Sequence, residues 1–339
     1  MTLVVARSNN GRIAIAADTL LSEHGGALPI RYGALKSVCL PGNVCASYSG
    51  SPELAARSFS EYLAKYPRGT SYGLTIDFFE KSSKDTNNDY IVAFADTGRL
   101  TTIRDGRRTS GVATLHWVGD KRAFERFREH EFRKKRRQHH GRAVNAVLFA
   151  DEMEGSPASE LYSTMREVVL DRDIDSVGGF VTVLSNRDLG FRFSVYSDVL
   201  LDWPAGPTGE CDLRMEDTFD LNASGENERF SVSQVSPGYY NCNCVAFYVL
   251  KGGLLYVLQH SRGGEMQCIQ GVPPSRVADA IDGAIGFPFG ALSLVMSSRP
   301  DGGFKPRSRP EQGVQISLFC ELNTMPVPAS GTGRGSVTP

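Results

Sequence analysis

The sequence predicts an α+β protein of layered antiparallel sheets and helix pairs, continued by a mainly β extension. Three observations carry this prediction. Short apolar runs recur in pairs across Asn-Gly or Gly-containing turns, the signature of hairpins. The elements come in blocks: strands, two helices, strands, two helices, strands. A doubly wound parallel sheet would instead alternate strand and helix. Finally, the composition changes at 203–227 and again from about Ser297.

In chain order, LVVAR (3–7) and RIAIAAD (12–18) flank Ser8-Asn9-Asn10-Gly11, and SVCL (37–40) and VCASYSG (44–50) flank Pro41-Gly42-Asn43. At Ser51-Pro52-Glu53 the apolar period lengthens, and a helix over 52–66 opens on Pro52, where a missing N–H is harmless. A shorter helix is expected over 75–84, and a hairpin joins 90–96 to 100–106 across Thr97-Gly98. Charged helix 121–138 and helix 157–171 follow, then strands at 178–185 and 191–201. Residues 203–227 are rich in Gly, Pro, Asp and Asn and mark a boundary. Beyond it lie strands RFSVSQV, CVAFYVL, LLYVLQH and MQCIQ and a helix over 274–284. The remainder reads as a disordered Pro/Gly/Ser/Arg-rich tail, with VQISLF (314–319) as its one strand-like segment. The expected divisions are therefore 1–202, 203–296 and 297–339.

Of the 339 residues, 41% are hydrophobic and 22% charged, with a formal net charge of -1. This is the mix of a soluble globular protein, and it points to neither nucleic acid nor a membrane as partner. Arg7, Arg12 and Asp18 interrupt the apolar start, so it lacks a signal-peptide core and the expected location is cytoplasmic. The seven cysteines are scattered. Cys242 and Cys244 form CxC without a second pair or a histidine cluster, so they read as reduced core residues and no metal or other cofactor is expected.

Thr2 is the candidate for chemistry. A threonine at a free N-terminus supplies both nucleophile and base: its hydroxyl attacks and its own α-amine takes the proton. The amine suits this because its reference pKa is about 7.7–8.0. Met1 must first be removed. The segment TLVVARSNNGRIAIAADT (2–19) resembles the start of mature HslV and proteasome β chains, with Asp18 sixteen residues after Thr2. Lys36 in ALKSVCL fits that family's next element, after a loop about two residues longer than usual. Ser49-Gly50-Ser51 resembles its small-Gly-Gly turn, where a glycine amide forms the oxyanion hole.

What the resemblance implies is a four-layer αββα Ntn-hydrolase sandwich over roughly 2–200, with Thr2, Asp18, Lys36 and Gly50 as catalytic set. Lys36 would act as an ammonium that lowers the pKa of the Thr2 groups, and Asp18 would neutralise and orient it. Asp173 and Ser176 in DIDSVGG keep the offset of the family's Asp-x-x-Ser-Gly-Gly, with Val177 inserted before Gly178. There the aspartate and serine help hold the threonine. At the family's Gly-Ser-Gly this chain has Gly119-Asp120-Lys121, and Asp120 has two readings. It could bond the Thr2 amine, raising its pKa, or cap the following helix. Tyr48 falls where the family lines its specificity pocket, or is a buried strand tyrosine. The run RKKRRQHHGR (133–142) reads as a solvated helix end or an anion site.

The expected function is a threonine-type peptidase acting on peptide or unfolded protein. It would assemble as a homo-oligomeric ring that an ATP-dependent unfoldase could feed. A small-molecule amidase or acylase on the same scaffold and a non-catalytic proteasome-like scaffold are the alternatives.

Overall fold

The computed structural model describes residues 2–21, 33–109, 114–134, 143–149, 156–171, 173–187, 190–202, 228–236, 241–249, 252–260, 266–273 and 276–286. The expected 203–227 boundary, the 297–339 tail with its strand at 314–319, and most of the 133–142 basic run lie outside these residues.

Strands β1 (Leu3–Asn9) and β2 (Arg12–Asp18) form the expected first hairpin, closed by the Asn9–Arg12 pair. β3 (Ser37–Leu40) and β4 (Val44–Ser49) form the second. In α1 (Pro52–Lys65) the Ser51 hydroxyl accepts from the Leu54 amide at 3.3 Å, which satisfies one of the donors a helix start leaves orphaned. α2 (Tyr72–Thr86) is capped in the same way by Ser71 and runs longer than the expected 75–84. Then come β5 (Asp89–Phe94), β6 (Arg99–Arg104), β7 (Arg107–Thr109) and β8 (Leu115–Gly119). α3 (Lys121–Lys134) is followed by β9 (Ala143–Phe149), a strand the sequence reading did not assign, and by α4 (Pro157–Val169).

The single strand expected over 191–201 is two: β11 (Gly190–Phe193) returns along β10 (Val181–Arg187), and β12 (Tyr196–Asp202) leaves for another sheet. Buried Gln234 stitches this junction. Its Nε2 donates to the carbonyls of Val183 (3.0 Å) and Ser194 (2.6 Å), and its Oε1 accepts from the Val183 amide at 3.2 Å. The chain continues as β13 (Glu228–Val235), β14 (Cys244–Val249), β15 (Leu254–Gln259), β16 (Gln267–Ile269) and α5 (Val277–Ile285).

Among the described residues these make three antiparallel sheets and five helices. The first sheet runs β11-β10-β2-β1-β8, the second β3-β4-β5-β6-β7, the third β16-β15-β14-β13-β12-β9. The third sheet joins strands from both sides of residue 203 through the β12–β13 pairing. Strand alternation divides the core. Cys39, Cys45, Ile91 and Ala93 of the second sheet cluster with β1, β2 and α4 residues, whereas Val38, Ala46, Val92 and Ile103 cluster with Phe59, Tyr62, Ile76 and Phe79 of α1 and α2. Phe180 stacks on Phe247 at 4.4 Å, tying the third sheet to the first cluster, and the other face of that sheet packs Ile281 and Ile285 of α5. Among the described residues no helix is long and apolar enough to cross a membrane.

Candidate active site

β1, β2 and β3 begin or end at one place. Thr2 immediately precedes β1, Asp18 is the last residue of β2, and Lys36 immediately precedes β3. All three are buried, Thr2 and Lys36 at 3% exposure and Asp18 at 0%. The Asp18 carboxylate collects four donors. Its Oδ1 accepts from the Thr2 hydroxyl and from the Leu3 amide (3.0 Å). Its Oδ2 accepts from Lys36 Nζ (2.9 Å) and from the Gly178 amide (3.4 Å). A second bond from Lys36 Nζ, to the Leu20 carbonyl at 2.6 Å, fixes the ammonium. Burial pushes the Lys36 pKa down, and the adjacent Asp18 charge and hydrogen bond oppose that fall. The ammonium is thus held where desolvation makes its proton easier to remove than that of a surface lysine.

The segment after α4 reaches this carboxylate through Thr19, a residue the sequence reading passed over. The buried Thr19 hydroxyl accepts from the Phe180 amide at 2.8 Å, while the Leu20 amide donates to the Gly178 carbonyl at 3.1 Å. These bonds bring the Gly178 amide onto Asp18. Ser176 comes with it and donates to the Asp120 carboxylate. Asp173 does not. Its side chain is 69% exposed and pairs with Arg126 on α3 at 3.4 Å.

Asp120 acts as the cap of α3, accepting from the Ala123 amide at 3.0 Å, while its own amide donates to the Thr2 carbonyl at 2.7 Å. Burial would raise its carboxyl pKa, but the Ala123, Ser176 and Arg122 hydrogen bonds outweigh burial and hold it below the ordinary range. Gly119 must be glycine because a Cβ there would lie 1.9 Å from the Thr2 carbonyl oxygen. The same imagined atom would be 3.2 Å from Ser49 Oγ, so the end of β4, and with it the Ser49-Gly50-Ser51 turn, lies alongside Thr2.

Tyr48 is buried, and its ring meets Phe59 edge-on at 5.9 Å within the α1/α2 cluster. Burial, then the Glu53 and Asp18 carboxylates, pushes its hydroxyl well above the usual range. Among the described cysteines, Cys39, Cys45, Cys242, Cys244 and Cys268 are free thiols, and no group of metal-ligating side chains gathers among the described residues.

No family model matches this chain, and no curated protein matches it. Among solved structures, the eukaryotic HslV from Trypanosoma brucei is similar at a TM-score of 0.38 and 12% identity, covering 54% of this chain and 98% of that one.

Proposed function

We propose that this chain is a threonine-type amide hydrolase whose nucleophile is the Thr2 hydroxyl, exposed as an N-terminal residue by removal of Met1. One observation carries the reading: a buried Thr2–Asp18–Lys36 array in which one carboxylate takes the Thr2 hydroxyl on one oxygen and the ammonium on the other. A buried ion pair is not needed to hold three strand ends, since apolar residues of similar volume would do so at least as well.

In the proposed reaction the Thr2 oxygen attacks the amide carbonyl carbon and the freed α-amine accepts the hydroxyl proton. The tetrahedral oxyanion is stabilised by the Lys36 charge and the Gly50 amide. The leaving amine departs with the proton from the Thr2 ammonium, leaving an ester on Thr2. Water then attacks that ester as the amine takes its proton, and when the ester C–O bond breaks that proton passes to the Thr2 oxygen, releasing the acid and the free enzyme. Tyr48 N donates to Lys36 O at 2.9 Å, and Gly50 follows two residues on, immediately after the last residue of β4. That spacing supports its amide facing the Lys36 side, because alternate amides of a strand point the same way. With its ring against Phe59 inside the α1/α2 cluster, Tyr48 is read as a buried strand tyrosine, not a pocket wall.

The reading includes an αββα arrangement: α1 and α2 over the second sheet, that sheet over the first, and α3 and α4 outside. The separate clustering of alternate β3–β6 residues supports it. Residues 203–296 are proposed as a β-rich extension built onto the same folding unit, because β12 and β13 pair across the boundary. From the resemblance the proposal extends to peptide or unfolded-protein substrates, a ring of copies of this chain, an ATP-dependent unfoldase partner and a cytoplasmic location. One observation favours a non-catalytic reading instead: Asp173 is engaged by Arg126 away from Thr2.

Intact-mass analysis of the purified protein, followed by labelling with a peptide β-lactone, tests the assignment. Loss of Met1 and a label on Thr2 that disappears in Thr2→Ala are expected. Retention of Met1, or label surviving in Thr2→Ala, would sink it.

A further inference from the structure

The turn proposed to supply the oxyanion amide does not hold itself. It is held by Asn88, which sits between α2 and β5, 1% exposed. Asn88 Oδ1 accepts from the Ser51 amide at 2.8 Å, and its Nδ2 donates to the Ser51 carbonyl at 3.1 Å. One side-chain amide thus takes both backbone groups of Ser51, as a neighbouring strand would. Beyond the Ser49–Asp89 pair, where β4 ends and β5 begins, this side chain takes over from the backbone ladder.

Two further facts tie the clamp to Gly50. The Gly50 φ is +125°, a conformation that side-chain-bearing residues rarely adopt. A Cβ on Gly50 would lie 2.0 Å from Asn88 Oδ1, so the amide oxygen fills the space where that side chain would stand. Ser51 is also the α1 N-cap, with its carbonyl accepting from the Ala55 amide at 3.0 Å, so the clamp fixes the start of that helix together with the Gly50 peptide.

We infer that Asn88 is a positioning residue for the oxyanion-binding turn. By gripping both backbone groups of Ser51 and filling the space beside Gly50, it aims the Gly50 amide at the site of the tetrahedral intermediate. The inference rests on the Thr2 reading above. An oxyanion donor acts only when already pointed at the developing charge, so its orientation matters more than its presence. A misplacement of about 1 Å costs on the order of 100-fold in rate. Binding the unreacted ligand does not require the same aim.

The test compares two covalent probes of Thr2 on the full chain. A peptide β-lactone is attacked at its carbonyl and passes through an oxyanion. A peptide vinyl sulfone is attacked at its alkene carbon, and the negative charge develops next to the sulfone. In Asn88→Ala the maximal β-lactone labelling rate is expected to fall roughly 10- to 100-fold with half-saturation nearly unchanged. Vinyl sulfone labelling should stay within about twofold of the parent. Asn88→Asp keeps the acceptor for the Ser51 amide and loses the donor to its carbonyl. It provides the same comparison if the alanine variant does not fold, and the same selective loss is expected.

Equal rates for both probes, or an equal loss of both in a folded variant, would overturn the role of Asn88. Thr2→Ala run alongside separates the two ideas: label surviving there rejects the nucleophile, whereas label lost there with Asn88 variants fully reactive rejects only the clamp.

Discussion

Two buried carboxylates, each satisfied by a cation and a hydroxyl, lie in different parts of this molecule. Asp18 at the end of β2 takes Lys36 and the Thr2 hydroxyl. Asp198 on β12 takes Arg166 and the Tyr162 hydroxyl, the latter at 2.6 Å, from the inner face of α4. Their ingredients match and their chemistry does not. Burial lowers the Lys36 pKa against the pull of the adjacent Asp18, while a guanidinium remains charged at any working pH. Threonine at a freed terminus brings an amine to its own hydroxyl. Tyr162 has no such base, and its hydroxyl is pushed well above the ordinary range by burial and then by its neighbours Tyr196 and Asp198. The Asp198 carboxyl is itself raised by burial against the pull of Arg166. The same motif is a structural tie in one place and a candidate reactive centre in the other, and the difference lies in the α-amine that Thr2 would bring to its own hydroxyl.

The sharpest way to break this contrast is to remove one member of each ion pair in turn. Lys36→Ala is expected to lower β-lactone labelling of Thr2 by roughly 10²–10³-fold, the scale of losing a positioned electrostatic stabiliser. It also leaves Asp18 buried and uncompensated, at about 3–5 kcal/mol of stability. Asp198→Ala should lower stability by about 3 kcal/mol by urea unfolding and leave the labelling rate of the folded protein unchanged. If Asp198→Ala loses labelling as deeply as Lys36→Ala while circular dichroism shows it folded, the two carboxylates are not separable and the contrast fails.

How much of this was legible in the sequence follows from how local each feature is. The β1–β2 hairpin was legible because its turn residues and its alternation lie within one short window. Thr2, Asp18 and Lys36 are legible because their order and spacing resemble those of the HslV and proteasome β chains, although their contact closes only in three dimensions. β9 is not legible locally because its partner, β12, lies some fifty residues on and a basic run adjoins it. Asp173 keeps the family's three-residue offset from Ser176, yet Val177 adds a residue before the glycines. Ser176 and Gly178 still reach the site while Asp173 meets Arg126. Asn88 carries no sequence signal at all, since an asparagine after a helix reads as a C-terminal cap or loop residue. Its role appears only when Ser51 is placed opposite it.

Asp120 gives the smallest expected effect and the finest test of the contrast, because it is a third carboxylate, only partly buried, on the residue whose amide holds Thr2. As a helix cap its loss in Asp120→Ala should cost about 1 kcal/mol at pH 7. Its folded carboxyl lies below the ordinary value, so its ionised contribution is complete above the unfolded pKa of about 3.9 and is lost as pH falls through the lower folded value. The gap in urea midpoint between parent and variant should therefore be constant from pH 7 to 5 and narrow by pH 3. A gap that is unchanged at pH 3 would mean that the charge is not what stabilises the cap. Labelling reads the other side of the same residue. A carboxylate near the freed Thr2 amine raises that amine's pKa, so Asp120→Ser should shift the pH of half-maximal β-lactone labelling downward. An unmoved profile would confine Asp120 to capping α3 and leave the proton chemistry to Thr2 alone.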